Sequence, residues 1–393
     1  MATIERRRLL QGAGIFSGLN LLGACARPPS ATTSAIVPPL APVRASPDRI
    51  FDITVCLRPF RAAGPRLDTE QIGDIFVVHN YGHGGSGWSL SWGSGAVAVQ
   101  KAMANSPRQI AVIGCGAIGL TSAILAQRAG AQVTIYAREL MPQTRSARAT
   151  GTWSPDSRIA LTSAAPPGFP ALWEQMARTS FKAYRNYLGL PGDPVEWNDR
   201  YILSNETRDG AARSKPADPL GFAHYSDRVG DLTPDIETLP PGSTPFPTRY
   251  VRRYSSMMFN IADYGHTLMS DFLLAGGKIR IMEFHEPADL ARLTEKVVIN
   301  CPGYGGRALW RDNSIVPVRG QLAWLVPQLV VSYGLSYRDV AMLSRRDGIL
   351  VQDFAGGDMR GYGNDNETPD RAEALQAVGE LAEVYQGKTS TSF

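Results

Sequence analysis

The chain has 393 residues, of which 44% are hydrophobic and 19% are charged, and it contains 39 glycines and 28 prolines. This composition is that of a folded, loop-rich globular protein, and it excludes disordered, collagen-like and coiled-coil chains. Forty Lys and Arg residues against 36 Asp and Glu residues leave a net charge of only +4. Because the basic residues are scattered, a nucleic-acid partner is not expected. The length predicts one large unit or two interleaved domains.

The first 26 residues have the organisation of an export signal. Arginines at 6–8 precede an uncharged stretch of 13 residues, 12–24, which is too short to span a bilayer. The arginine pair ahead of Leu-Leu resembles a twin-arginine signal. The residues around Cys25 resemble a lipobox, and they also fit ordinary small-residue cleavage. We expect an exported protein that is periplasmic or anchored to the membrane through a lipid on Cys25.

A proline-rich segment follows the predicted signal. Residues 27–48 contain six prolines, which predicts an extended, semi-rigid tether. We therefore expect the folded part to begin near Arg49.

The four cysteines are Cys25, Cys56, Cys115 and Cys301, and they form no CxxC pair. Three of them lie in apolar, strand-like runs, where a thiol is normally a small core residue. The pattern favours neither a disulfide scaffold nor a zinc site, and no metal site is predicted.

A glycine-rich turn at 114–119 follows a predicted strand at 108–114 and precedes a helical pattern. A second strand is predicted at 131–137. In this βαβ context the GxGxxG glycines permit a tight turn and let the helix N-terminus approach a pyrophosphate. The sequence therefore predicts a dinucleotide-binding site, with Arg138 or Glu139 holding the ribose at the end of the second strand.

About sixty residues of the folded part precede this motif, and they include a second glycine-rich loop. A strand is predicted at 75–80, followed by a loop with glycines at 82, 84, 85, 87 and 93 and by a small-residue helix to about Met103. Repeated glycines at a helix entrance suit the close approach of backbone to a flat ligand. The glycines also argue against a helix that would align His79 and His83 as a metal pair.

The segment HNYGHGGSGWSLSWG, at 79–93, resembles the flavin-binding segment of the D-amino-acid oxidase family. The segment CLRPFR, at 56–61, resembles the strand that carries that family's substrate-binding arginine. In the family both motifs follow the catalytic domain, whereas here both precede the GxGxxG motif. The chain therefore resembles a circular permutant of the family over roughly residues 50 to 385. This order predicts that the strand around 54–58 lies in one sheet with the strands at 321–351.

The resemblance implies an α/β (α+β) fold, in which a Rossmann-type FAD-binding domain interleaves with an antiparallel-sheet substrate domain. The implied FAD-binding domain is at 70–165 and 255–318, and the implied substrate domain is at 49–69, 166–254 and 319–393. Apolar periodicity predicts helices at 172–190 and 264–274. Strands are predicted at 250–259, 297–300 and 321–331, and a last helix at about 369–386.

The resemblance also implies a reaction, which is oxidative deamination of D-amino acids by hydride transfer to flavin N5. The products would be a 2-oxo acid, ammonia and, with molecular oxygen as acceptor, hydrogen peroxide. Arg58 matches the arginine that binds the substrate carboxylate, a role that its planar fork suits better than lysine. The Gly85 carbonyl matches the acceptor for the substrate amine, and Tyr337 is a candidate for a missing carboxylate-binding tyrosine. The implied FAD contacts are Gly84, Gly85, Ser86, Gly87, Trp88, Ser89, Gly114, Gly116, Ile118, Gly119, Arg138, Ser146, Gly151, Trp153, Phe284 and Gly303.

Three positions depart from the family pattern. Asp156 replaces an aromatic residue, Ala341 replaces the tyrosine, and Gln352-Asp353 replaces a Gly-Gly pair. Two alternatives therefore stay open. One is an FAD enzyme that acts on glycine-type or secondary amines or passes electrons to a membrane acceptor. The other is a lipoprotein that binds an amino acid without turnover.

Overall fold

The computed structural model describes residues 40–206 and 218–386. The predicted export signal at 1–26, with Cys25, and most of the predicted tether at 27–48 lie outside these residues. Within the described residues, no helix is long and apolar enough to cross a membrane.

A six-stranded sheet has the strand order β2-β3-β10-β4-β5-β9. Every neighbouring pair is parallel except β2 and β3. The central strands are almost wholly apolar, as expected of parallel strands that are covered on both faces. The strands are β2 (Thr69–Ile72), β3 (Ile75–His79), β4 (Gln109–Ile113), β5 (Gln132–Ala137), β9 (Lys278–Ile281) and β10 (Val297–Asn300).

Two helices built largely of small residues pack into the same core as this sheet. They are α1 (Gly87–Ala102) and α2 (Ala117–Arg128). A Cβ added at Gly95 of α1 would lie 3.1 Å from the Leu125 side chain of α2, so small residues allow the two helices to approach closely. Strands β4 and β5 with α2 between them confirm the predicted βαβ unit.

An eight-stranded sheet has the strand order β1-β11-β14-β13-β12-β6-β8-β7. Neighbours are antiparallel except β12 and β6, which are parallel. Its strands are β1 (Ile50–Arg61), β6 (Val195–Ser204), β7 (Glu237–Leu239), β8 (Tyr250–Phe259), β11 (Ile315–Leu325), β12 (Tyr333–Tyr337), β13 (Val340–Arg345) and β14 (Gly348–Asp353). The mixed α/β fold class with two sheets agrees with the prediction.

The strand that carries Arg58 lies beside a strand far along the chain. Arg58 of β1 is opposite Val318 of β11, and β11 continues through β14 to β13. The prediction that the strand around 54–58 shares a sheet with the strands at 321–351 is confirmed.

The other helices are α3 (Phe169–Tyr184), α4 (Ile261–Leu274), α5 (Gly306–Leu309) and α6 (Arg371–Gln386). Helix α6 buries Ala374, Ala377, Val378 and Leu381 in one core cluster with residues of the eight-stranded sheet. Their spacing of three and four residues places them on one helix face.

Some element boundaries differ from the predictions. Helix α3 ends at Tyr184 and not near 190, because a 3-10 turn follows and Gly189 is left-handed at φ +71. Strand β11 ends at Leu325, since Pro327 cannot donate a ladder hydrogen bond. The expected domain boundaries at 254/255 and 318/319 fall inside β8 and β11, which both pair within the eight-stranded sheet.

Candidate active site

A cavity of about 840 Å³ is lined by residues of both sheets. One part of its wall comes from the residues that follow β3, β4, β5 and β10, at the carboxyl ends of the parallel strands. Ligands of open α/β sheets bind at this edge. Another part comes from β1, β11, β12, β13 and β14. The cavity has the size of a site for a small molecule or cofactor.

The turn from β4 to α2 has no room for side chains at two of its glycines. Gly114 has a φ of +99, and a Cβ there would overlap the carbonyl oxygen of Cys301. A Cβ on Gly119 would overlap the carbonyl oxygen of Gly114. Beside the turn, the Ala117 amide at the start of α2 donates to Ser146 Oγ at 3.1 Å. Backbone amides and a hydroxyl therefore meet at a helix N-terminus, which suits a phosphate group.

The second glycine loop is fixed between β1 and the segment at 157–158. The Gly84 amide donates to the Pro59 carbonyl at 2.9 Å, and the Gly85 amide donates to the Ser157 carbonyl at 2.9 Å. Gly84 is left-handed at φ +55, and a Cβ there would overlap the Arg158 carbonyl oxygen. This loop therefore presents bare backbone at the cavity wall, next to the strand that carries Arg58.

Arg58 has no partner of opposite charge among residues 40–206 and 218–386. Its guanidinium lies over Gly320, where a Cβ would overlap it, and Nη1 donates to the Arg319 carbonyl at 3.4 Å. No carboxylate of the described residues lies within ion-pair distance of Arg58. Burial lowers the pKa of Arg58, and the nearby Cys56 and Asp358 oppose that shift. A buried guanidinium without a counter-charge is suited to binding an anion.

A second arginine, Arg158, lines the same end of the cavity. Its Nε and Nη2 donate to the carbonyls of Asp358 and Gly357, each at 2.8 Å, and Nη1 lies 3.7 Å from Asp358 Oδ1. Burial, and then the positive charge of Arg58, lower the pKa of Arg158 to about 10. No sequence pattern marks this residue, because it reaches the wall from a left-handed backbone at φ 49.

The structure brings most of the predicted site residues to the cavity wall. These are Arg58, Gly84, Gly85, Gly87, Trp88, Gly114, Gly116, Ile118, Arg138, Ser146, Gly151, Phe284 and Gly303.

Four of the predicted FAD contacts lie behind the wall instead. Ser86 Oγ donates to the Ser157 carbonyl at 3.1 Å, and Ser89 Oγ accepts from the Ser154 amide at 2.8 Å. Trp153 packs against the rings of Phe181 and Tyr184, and Gly119 packs against Gly114. These residues shape the loops of the wall, and they do not line the cavity.

The structure does not bring Tyr337 to the cavity. Its neighbour Ser336 lines the wall, and successive side chains of a strand point to opposite faces. Tyr337 therefore lies on the other face of β12, in the core cluster that includes α6. We correct the prediction accordingly and do not retain Tyr337 as a substrate ligand.

The positions that depart from the family pattern have different surroundings. Asp156 accepts from the amides of Tyr225 and Ser226 at 3.2 and 3.1 Å, so it stabilises a turn and does not line the cavity. Asp353 forms an ion pair with Arg360 at 2.7 Å. Only Gln352 and Ala341 of these positions line the cavity.

Residues 109–391 match the sequence model of the family described as FAD dependent oxidoreductase, DAO. The chain belongs to this family. It is 30% identical over 211 residues to the D-amino-acid oxidase of Rubrobacter xylanophilus, covering 54% of this chain and 57% of that protein. It is 28% identical over 218 residues to the D-amino-acid oxidase of Dictyostelium discoideum, covering 54% of this chain and 55% of that protein. The chain thus spans little more than half the length of these curated relatives.

The solved structure of glycine oxidase from Geobacillus kaustophilus shares the fold. It aligns with 70% of this chain and 78% of its own, with a TM-score of 0.50 and 13% identity. The predicted family and its FAD cofactor are confirmed at the family level.

The residues of the cavity fit FAD. The glycine turn at 114–119 and the hydroxyl of Ser146 suit the pyrophosphate, because side chains would fill the space at the turn. Arg138 and Phe284 line the wall where β5 ends, a position that suits the ribose and adenine. The bare backbone of the loop at 84–88 suits the flat ring system.

Proposed function

We propose that this protein catalyses the oxidative deamination of D-amino acids. The reaction takes an amino acid, molecular oxygen and water to a 2-oxo acid, ammonia and hydrogen peroxide. One observation carries the proposal: Arg58, a cation that lacks a carboxylate partner among the described residues, lines the same cavity as both glycine-rich loops. A carboxylate-binding cation and a dinucleotide cradle in one cavity are the two parts that an amino-acid oxidase needs.

The substrate carboxylate binds to Arg58 in this proposal. The planar guanidinium donates two parallel hydrogen bonds to a carboxylate, which fixes both the position and the orientation of the α-carbon. Gly320 leaves room for the guanidinium, since any side chain there would overlap it. Leu57, Leu322 and Phe354 line the same cavity, and their apolar surface strengthens the ion pair by lowering the local dielectric constant.

The substrate amine lies against the loop at 84–85. The Gly85 carbonyl accepts a hydrogen bond from a neutral amine, and this bond orients the nitrogen relative to the α-carbon. FAD, when bound, supplies the two-electron acceptor for the oxidation. A substrate that arrives with a neutral amine needs no strong general base, so positioning is the main contribution of these residues.

The experiment is a panel of D- and L-amino acids, glycine and secondary amines with the purified, FAD-loaded protein, read by peroxide and ammonia release. We expect both products with D-amino acids and none with their L-enantiomers. Turnover with an artificial electron acceptor but no peroxide would favour a membrane acceptor. Turnover confined to glycine or secondary amines would favour an FAD enzyme that acts on those amines. Saturable binding without either product would leave an amino-acid-binding protein.

We also propose that the protein is exported through its first 26 residues. The proposal is supported by the arginines at 6–8, the uncharged stretch at 12–24 and the residues around Cys25. Cell fractionation of the parent and of a variant with Arg7 and Arg8 changed to lysine tests export. Labelling with a radioactive fatty acid, compared with Cys25→Ala, tests the lipid.

A further inference from the structure

Four side chains from four neighbouring strands form one row on the cavity wall. They are Leu322 of β11, Gln352 of β14, Ala341 of β13 and Ser336 of β12. Ser336 is opposite Ala341, and Ala341 is opposite Gln352. The register of β11 and β14, with Ala323 opposite Val351, places Leu322 opposite Gln352. Register partners share a face of the sheet, so the row is continuous.

The row begins at the cation and leads away from it. Leu322 is two residues from Gly320 on β11, and the Arg58 guanidinium lies over Gly320. Residues two apart on a strand lie on the same face. Neighbouring strands are roughly 4.8 Å apart, so the row from β11 to β12 extends about 14 Å. A substrate whose carboxylate binds to Arg58 can therefore lay a long side chain along the row.

The middle of the row is open because Ala341 carries only a methyl group. Because Ala341 is directly opposite Gln352, a larger residue at this position would fill the space beside Gln352 that the end of the substrate side chain needs. The space for a long substrate side chain therefore depends on the alanine at position 341.

The row offers hydrogen-bond donors and no charge. Gln352 Oε1 accepts from Thr150 Oγ1 at 3.2 Å, which orients the amide. Within the described ranges, no hydrogen bond is formed by Gln352 Nε2 or by Ser336 Oγ. An amide N–H and a hydroxyl are therefore available to an acceptor on the substrate.

Arg158 lines the same cavity, but its charge is already balanced by Asp358. Its Nε and Nη2 donate to the carbonyls of Asp358 and Gly357, and Nη1 lies 3.7 Å from Asp358 Oδ1, which provides its counter-charge. The four residues of the row carry no charge, so a charged group on the row would be partly desolvated without a partner in the row, which is unfavourable.

We propose that the row formed by Leu322, Gln352, Ala341 and Ser336 is the subsite for the substrate side chain. It selects D-amino acids with a long, uncharged side chain that ends in a hydrogen-bond acceptor, such as a carboxamide. This inference rests on the proposed function, because it takes Arg58 as the site of the α-carboxylate.

The test compares kcat/KM of the FAD-loaded protein for D-glutamine, D-norleucine, D-alanine and D-glutamate. We expect D-glutamine to be the best of the four. Gln352→Met keeps the length and removes the donor, so the D-glutamine to D-norleucine ratio should fall about fivefold. Ala341→Phe fills the middle of the row, so the D-glutamine to D-alanine ratio should fall by about tenfold or more. The control is Asp339→Asn in the exposed turn between β12 and β13, which should change neither ratio.

The outcomes separate this inference from the proposed function. If the parent oxidises D-amino acids and both variants keep the parental ratios, or if D-glutamate is preferred, the subsite is overturned. If the parent oxidises none of these amino acids, the proposed function fails. The subsite is then tested by the binding of carboxylates that differ in their side-chain end. In that case 5-amino-5-oxopentanoate should raise the melting temperature more than butanoate in the parent but not in Ala341→Phe. Equal shifts in both proteins would also overturn the subsite.

Discussion

Arg58 and Arg61 lie on the same strand but have different partners. Arg61 Nε donates to Ser314 Oγ at 2.8 Å and lies 3.5 Å from an Asp312 oxygen. Arg58, in the part of the chain that the structure describes, has only a hydrogen bond to a carbonyl. An arginine whose donors are paired within the protein contributes to the fold. An arginine in a cavity with unpaired donors is available to a ligand. The two residues thus form a matched pair for testing substrate binding.

We expect Arg58→Ala to lower kcat/KM through substrate binding and to leave FAD affinity near that of the parent. Loss of one partner of a buried charge pair is worth on the order of 2–5 kcal/mol, which corresponds to about 30-fold or more in kcat/KM. Arg58→Lys should recover little, since an ammonium lacks the planar fork. The measurement is steady-state kinetics with an FAD titration.

Arg61→Ala is the control for this experiment. It should lower the melting temperature and leave KM unchanged, because Arg61 bonds to Ser314 and lies outside the cavity. If Arg58→Ala kept the parental KM, Arg58 would be a structural residue and the carboxylate site would have to be sought elsewhere.

The burial of His83 predicts that part of the protein's stability is lost at acidic pH. It is 2% exposed, its Nε2 has no hydrogen-bond partner among the described residues, and burial lowers its pKa from 6.5 to about 3. The unfolded chain takes up a proton at this residue below about pH 6.5, while the folded state stays neutral. The free energy of unfolding should therefore fall by roughly 1.4 kcal/mol per pH unit from this residue as the pH drops from about 6.5 towards about 3.

Denaturant unfolding of the FAD-loaded protein across this pH range measures the effect. In His83→Gln the free energy of unfolding should fall less steeply with decreasing pH than in the parent. The comparison uses this slope and not the absolute stability of each protein. His266→Gln, on the exposed face of α4, should keep the parental slope. Parallel curves for His83→Gln and the parent would contradict the neutral state of His83.

At the scale of elements, the turn between β4 and α2 is the most constrained part of the site. We expect Gly119→Ala to reduce FAD affinity and to lower the free energy of unfolding by about 1–3 kcal/mol. The reason is that a Cβ there meets the backbone of Gly114, which cannot move as a flexible side chain can. Flavin fluorescence titration and thermal unfolding measure the two effects.

Gly379→Ala in α6 provides the matched control, because a Cβ built at Gly379 meets no described atom within 4 Å apart from the local backbone of its own helix. This change should raise stability by up to about 1 kcal/mol through helix propensity and leave FAD affinity unchanged. Equal behaviour of the two variants would show that the turn does not need its glycine.

The elements near the glycine motifs could be predicted from sequence, because their signals are local. The run before Gly114 and the GxGxxG spacing define β4, the turn and the start of α2 without reference to distant residues. The faces of β12 could not be predicted in the same way. The sequence of β12 does not show whether Ser336 or Tyr337 faces the cavity, because that depends on which face the rest of the sheet covers.

Residues that reach the cavity from irregular backbone also escaped prediction. Arg158 lies in a left-handed conformation, and its hydrogen bonds are to carbonyls about 200 residues later in the chain. The row of Leu322, Gln352, Ala341 and Ser336 exists only through the register of four strands. Such sites are properties of tertiary structure, and no local pattern marks them.

At the scale of the whole described chain, the segments near its first and last described residues lie close together. The Tyr333 hydroxyl donates to the Ala41 carbonyl at 2.7 Å and lies 2.9 Å from the Tyr385 hydroxyl. We propose that the chain is a circular permutant of its family, and this proximity supports the proposal. A chain whose ends lie close together can be rejoined and opened elsewhere with little change in structure.

The proposal predicts that the permutation can be reversed. A chain that starts at Arg108, joins residue 386 to residue 40 and ends at Met103 should fold and bind FAD. The new opening lies in the loop between α1 and β4, which is partly exposed. The melting temperature should stay within a few degrees of the parent. A matched chain opened inside β11 should fail to fold, because β11 pairs along its length with β1. Failure of the chain opened at Arg108 to fold would contradict the proposal.

The central claim is that D-amino acids are oxidised in the cavity that contains Arg58. The most direct measurement is the absorbance of the FAD-loaded protein during anaerobic mixing with D- and L-amino acids. The account predicts that D-amino acids remove the oxidised-flavin band of the parent, that their L-enantiomers leave it in place, and that Arg58→Ala needs far more substrate. A folded, FAD-loaded protein whose band persists with every D-amino acid would contradict the claim.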